Sequence, residues 1–124
     1  MKRISMIPGI TVLILVAVLF LDPIVDFLPV DQHMLIASLA PRYVYVSSSS
    51  EDTWSDPAAE RLACRMTEEA FALYGKKGIV LSECVECDKA YHEGNIGYHA
   101  KSGNHGISHY DWKMFLDFLD KKFA

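Results

Sequence analysis

Short β-branched runs alternating with amphipathic stretches predict an α/β layer fold. Three observations carry this. Tyr43-Val44-Tyr45-Val46 is an aromatic and β-branched run with strand preference. Asp56-Pro57 opens a helical pattern that Gly75 closes. Ser108 and Asp111 have capping-box spacing ahead of an apolar stripe. Strand, loop, helix, strand, loop, helix is the resulting order.

The elements follow in chain order. Lys2 and Arg3 precede an apolar run to Leu21, broken only by Ser5, Pro8, Gly9 and Thr11, so residues 1–22 read as a signal or membrane anchor. The run leads into Asp22-Pro23 and not into the small residues of a cleavage site, which favours an uncleaved hydrophobic helix, although Ile4 to Leu21 is short for a span. A buried segment is the alternative. An anchor would keep Lys2 and Arg3 in the cytoplasm, so the expected location is single-pass membrane or exported, with the carboxyl-terminal part extracytoplasmic. Asp31 can cap a short helix through Met34-Leu35-Ile36-Ala37, which Pro41 stops. After the Tyr43–Val46 strand, Ser47 to Ser50 with Glu51 and Asp52 read as a loop.

In the helix from Asp56, Glu60 lies in the first turn and Leu62, Met66, Ala70 and Leu73 space one apolar face. Ile79-Val80-Leu81 is a further short apolar run, Ser82 to Gly94 reads as a polar loop, and Ile96 to Lys101 as a strand. The glycine-flanked loop from Ser102 to Gly106 leads to the last helix, where Trp112, Phe115, Leu116, Leu119 and Phe123 share a face.

Composition narrows the function. The chain has 124 residues, 51% hydrophobic and 23% charged, with 12 basic against 16 acidic side chains and a formal net charge of −4. Without a basic stripe, nucleic acid is not an expected partner. The hydrophobic content excludes a disordered chain, and three cysteines are too few to staple a small secreted scaffold.

In open α/β sheets, ligands gather outside the carboxyl ends of the strands. The loop with Glu51, Asp52 and Trp54 and the loop with His105 both follow expected strands, and acid before histidine is the second half of the Ser…Asp/Glu…His order of α/β-hydrolases. The stretches Leu28-Pro29-Val30-Asp31-Gln32-His33, Ala40-Pro41-Arg42-Tyr43-Val44-Tyr45-Val46, Glu51-Asp52-Thr53-Trp54-Ser55-Asp56-Pro57, Gly97-Tyr98-His99-Ala100-Lys101-Ser102-Gly103-Asn104-His105 and Tyr110-Asp111-Trp112 occur in that order. Together they resemble the carboxyl-terminal end of bacterial glucuronoyl methylesterases, α/β-hydrolase carbohydrate esterases that cleave esters between 4-O-methyl-glucuronic acid on xylan and lignin alcohols. The resemblance runs from about Leu28 to Phe123, so residues 28–124 are expected to form the carboxyl-terminal part of such a hydrolase domain.

The resemblance implies that His105 is the general base, Asp52 the triad acid with Glu51 as the competing choice, and Trp54 a wall of the sugar pocket. It implies no cofactor and no metal. The chemistry suits these residues: an imidazole takes the proton of a serine hydroxyl, a carboxylate fixes its tautomer, and an indole face packs on a sugar ring. The family's nucleophile sits in a Gly-x-Ser-Arg-x-Gly elbow, and no stretch of this sequence matches it. Ser47 to Ser50, Ser102 and Ser108 are candidates by composition only. Alone, the chain is therefore expected to be inactive, and a missing amino-terminal hydrolase half is an expected partner, with glucuronoxylan or a glucuronate ester as ligand once that half is supplied.

Two other readings stay open. One is a non-catalytic membrane-anchored protein. The other is a zinc module built on Cys84 and Cys87 with His92 and His99. Otherwise His99 reads as a packed, hydrogen-bonded strand residue, and His92 and His109 as solvent-facing.

Overall fold

The computed structural model describes residues 29–124, so the anchor expected over residues 1–22 lies outside the described residues. Among the described residues, no helix is long and apolar enough to cross a membrane. The elements below all belong to one compact unit, Gln32–Ala124. They are α1 (Gln32–Ser38), β1 (Val44–Ser49), α2 (Pro57–Arg65), α3 (Glu68–Ala72), β2 (Lys89–Tyr91), β3 (Ile96–Lys101) and α4 (His109–Phe123).

The strands form one sheet in the order β1-β3-β2. β1 runs parallel to β3, with Val44 opposite Ile96 and Ser49 opposite Lys101, whereas β2 is antiparallel to β3. The parallel pair sends the loops after β1 and β3 out of the same end of the sheet. Alternation puts Ile96, Tyr98 and Ala100 on one face, where they bury against Cys64 and Phe71 of the α2–α3 layer. Gly97, His99 and Lys101 point to the other face, towards α4.

The serines are strand, not loop. Ser47, Ser48 and Ser49 pair with His99, Ala100 and Lys101, because the neighbouring ladder outweighs the weak strand preference of serine. β2 is a strand inside the stretch expected to be a loop, and it forms because Lys89, Ala90 and Tyr91 sit opposite Ala100, His99 and Tyr98. The Ile79–Leu81 run makes only a single parallel bridge, between Ile79 and Ile96.

The expected helix from Asp56 to Gly75 breaks into α2 and α3. Asp56 caps α2 by accepting from the N–H groups of Ala58 and Ala59, both at 3.2 Å. At the break, the Thr67 hydroxyl donates to the Cys64 carbonyl at 2.6 Å, a local bond that competes with the helical ladder. The buried face is Cys64, Thr67 and Phe71, and the expected apolar face is turned outward, with Leu62 and Met66 each 56% exposed and Leu73 86% exposed. Cysteine and threonine are modest hydrophobes, which hid this stripe from a hydrophobic periodicity reading.

α4 departs in the same way. Its cap is as expected: the Asp111 carboxylate accepts from both the N–H and the hydroxyl of Ser108, each at 2.6 Å. But Asp111, Met114 and Phe118 are buried, while Trp112, Leu116, Leu119 and Phe123 are exposed and Phe115 is half-buried. The sheet face under α4 carries His99 and Lys101, so a carboxylate is what that face takes in.

Between α4 and the sheet, the Tyr45 ring meets Phe115 and Phe118 edge-on, with centroids 5.0 and 5.2 Å away. It lies against Gly97, where an added Cβ would stand 2.5 Å from the ring and 2.8 Å from Phe118. Gly97→Ala is expected to cost about 2 kcal/mol by overpacking, seen as a lower thermal midpoint.

Candidate active site

The loops after β1 and β3 are laced together at the carboxyl end of the sheet. Ser50 N–H donates to the Lys101 carbonyl at 2.9 Å and Glu51 N–H to the Gly103 carbonyl at 3.0 Å. In return, Gly103 N–H donates to the Ser50 hydroxyl at 3.1 Å. This lacing brings together residues more than fifty positions apart: Asp52 Oδ2 lies 2.6 Å from His105 Nδ1.

Asp52 is held from both sides. The Ser55 hydroxyl donates to Oδ2 and the Ser55 N–H to Oδ1 at 3.3 Å. These bonds, with that from His105, lower the Asp52 carboxyl from its ordinary value to about 2, the Ser55 hydroxyl contributing most. An ionised carboxylate only accepts, so His105 donates from Nδ1–H, the tautomer in which Nε2 is the nitrogen that can take up a proton. The Asp52 side chain is only 11% exposed, whereas that of His105 is 85% exposed.

The low Asp52 value has a checkable sign. A carboxyl depressed by folding stabilises the fold at pH above its ordinary value near 4, and that contribution is lost as pH falls towards 2. Carbon NMR should place the Asp52 midpoint near 2, and Ser55→Ala should move it back up by removing the largest cause.

The other expected site residues separate. Glu51 is exposed, and His105 pairs with Asp52. Trp54 is 99% exposed and packs on nothing in the described chain, so it presents a bare indole face beside Asp52. A cleft of about 210 Å³ opens at Asp52 and His105, lined by Ser47, Ser49, Glu60 and Asp111 among others, and Trp54 is not part of its lining. Glu60 was not legible as a site residue: it reaches the cleft through a bond from the Ser48 hydroxyl, at 2.7 Å. Only the strand character of the serine patch could have pointed to it.

Four of the six serines offered by composition have other commitments. The Ser48 hydroxyl donates to Glu60, that of Ser102 to Asp88 and that of Ser108 to Asp111, while that of Ser50 accepts from Gly103. None stands on a sharp turn from a strand into a helix, the setting a nucleophile elbow needs.

The zinc reading does not match the geometry. Cys84 and Cys87 are exposed, and among the described residues no group of three or more His, Cys, Asp or Glu side chains is placed to hold a metal. His99 is fully buried, with Nε2 at 2.9 Å from Asp111 and Nδ1 at 3.0 Å from the Tyr45 hydroxyl. His92, expected to face solvent, is half-buried with Nε2 at 2.8 Å from the same hydroxyl.

Against known proteins, no family model matches the chain. A curated prokaryotic protein, carbohydrate esterase MZ0003 from an unknown organism, is 39% identical over 95 residues, which are 77% of this chain and 22% of that protein. Among solved structures, a promiscuous CE15 esterase from a marine bacterial metagenome superposes with a TM-score of 0.72 at 39% identity, over 77% of this chain and 24% of that one. The chain is related to the carboxyl-terminal part of the CE15 glucuronoyl esterases. The glucuronoyl esterase of Solibacter usitatus gives a TM-score of 0.69 at 35% identity, covering 77% of this chain and 24% of that one. The CE15 glucuronoyl esterase of Teredinibacter turnerae T7901 gives 0.68 at 32% identity, covering 77% and 23%. The CE15-related chain thus spans under a quarter of the length of these relatives.

Proposed function

We propose that this chain supplies the acid and base of a serine carboxylic-ester hydrolase acting on 4-O-methyl-glucuronoyl esters of glucuronoxylan. The observation that carries the reading is the Asp52–His105 pair, 2.6 Å apart at the carboxyl ends of two parallel strands, in a chain related to glucuronoyl esterases. In this reading His105 Nε2 accepts the proton of a serine hydroxyl as the serine attacks the ester carbonyl. Asp52 stabilises the imidazolium that forms, and His105 then returns the proton to the leaving alcohol. The exposed face of Trp54 stacks on the sugar ring.

The nucleophile is proposed to arrive on a strand laid beside β1. Val44 N–H donates to the Asn95 carbonyl at 3.1 Å and Ser50 N–H to that of Lys101 at 2.9 Å, so Val44, Val46 and Ser48 face β3. By alternation Tyr45 and Ser47 turn their N–H and C=O groups the other way, and among the described residues no strand pairs with that edge. A parallel strand there would end at the same side of the sheet as Asp52 and His105. Residues 1–22 are proposed to hold or export the assembly, on their sequence alone.

The test is an ester assay on benzyl glucuronate. The chain alone should give no turnover, and mixing it with the nucleophile-bearing amino-terminal part of a CE15 esterase should restore turnover. Association without turnover would overturn the catalytic reading, and turnover by the chain alone would reveal a nucleophile elsewhere in it.

A further inference from the structure

We infer that Lys101 and Asp111 are positioning residues for His105, fixing its loop through a buried ion pair. The purpose of that placement rests on the esterase reading, but the placement itself does not. Lys101 ends β3, is only 8% exposed, and points to the face covered by α4. A buried ammonium needs compensation, and this one finds two partners: the Gly106 carbonyl, and Asp111 Oδ2 at 3.2 Å. Gly106 directly follows His105 and has φ +131°, a conformation that L side chains rarely adopt. The reversal turns its carbonyl to the ammonium.

The His105 loop is thus held on both flanks. On the amino side, Gly103 is laced to Ser50 and Glu51, and on the carboxyl side Gly106 is tied to Lys101. The exposed imidazole has little packing of its own, so its 2.6 Å approach to Asp52 depends on where these ties put the backbone.

Asp111 is in turn oriented from the sheet. Its Oδ2 accepts from Ser108 and Lys101, and its Oδ1 from His99 Nε2–H at 2.9 Å. His99 Nδ1 lies 3.0 Å from the Tyr45 hydroxyl, which in turn lies 2.8 Å from His92 Nε2. The contacts from His92 through Tyr45 and His99 thus reach the carboxylate that holds the ammonium against Gly106.

The experiment reads the His105 tautomer by long-range proton–nitrogen NMR in the full chain, with the resonance assigned by its loss in His105→Gln. The chain should hold His105 mainly as the Nδ1–H form. Lys101→Met, which keeps the aliphatic stem and removes the charge, should lower that fraction severalfold. Lys101→Gln, whose amide falls one atom short, serves the same purpose should the Met variant fail to fold. Phe71→Leu, in the layer across the sheet, should lower the thermal midpoint while leaving the tautomer as it is. An unchanged tautomer without the lysine, or an equal change in Phe71→Leu, would overturn the inference. No substrate or nucleophile enters this readout, so loss of the esterase reading would not affect it.

Discussion

In an enzyme completed with the nucleophile-bearing part of a CE15 esterase, His105→Ala should lower kcat on benzyl glucuronate by about 10⁶-fold, and Asp52→Asn by about 10⁴-fold. In the proposed mechanism the first change removes the base, so the serine hydroxyl keeps its proton. The second keeps the shape but lets the amide bond the imidazole in the wrong tautomer, leaving a proton on Nε2 where a lone pair is needed. A 10⁴-fold loss corresponds to about 5.5 kcal/mol of transition-state stabilisation, far more than an exposed ion pair contributes to folding. The Asp52 effect should therefore appear in kcat with little change in thermal midpoint. Glu51→Gln should stay close to the parent rate, because the structure pairs His105 with Asp52 and leaves Glu51 exposed. Equal losses from Glu51→Gln and Asp52→Asn would argue that the acid is not settled by the 2.6 Å pair.

Asp111→Ala should lower folding stability by about 3 kcal/mol, the cost expected when one partner of a buried pair is removed. Asp111 is 2% exposed and serves Lys101, His99 and Ser108 at once. Without it the Lys101 ammonium and a His99 N–H are left facing a void, and the capping box that starts α4 is lost. For a domain of this size that is a fall in thermal midpoint of roughly 12–24 °C. Burial raises the Asp111 carboxyl, but the bonds from Ser108, His99 and Lys101 outweigh it and hold the group below the ordinary carboxylate range. Its contribution is therefore present at neutral pH and is lost on acidification. Adding Lys101→Met to Asp111→Ala should recover part of the loss by removing the stranded charge, and a double-mutant cycle measures that coupling. Strict additivity would show that the pair does not act as a unit.

Local signals survived folding well where they concern chain ends and turns. The Asp56 cap, the Ser108–Asp111 box and the β3 strand rest on short-range hydrogen bonding or propensity, and each stands where the residues place it. Burial does not follow hydrophobicity along the helices. On α2–α3 the buried stripe is Cys64, Thr67 and Phe71, and on α4 it is Asp111, Met114 and Phe118, each offset from the more hydrophobic stripe beside it. A periodicity reading ranks faces by hydrophobicity, whereas the sheet selects the face that complements it. Under α4 the sheet offers an ammonium and an imidazole, so a carboxylate goes in and Trp112 stays out.

The sequence by itself determined the α/β order, the loops that carry Asp52 and His105, and the relation to the carboxyl-terminal part of the glucuronoyl esterases, because these depend on residue types and their order along the chain. Only the tertiary structure decided that Asp52 rather than Glu51 meets His105, that Ser47 to Ser49 belong to a strand, and that Lys101 and Asp111 lie behind the histidine loop. The first two depend on the parallel pairing of β1 with β3, which brings residues about fifty positions apart into hydrogen-bond range, and the third on how α4 packs back on the end of β3. No local pattern encodes such a register, since it is set by the packing of both sheet faces at once.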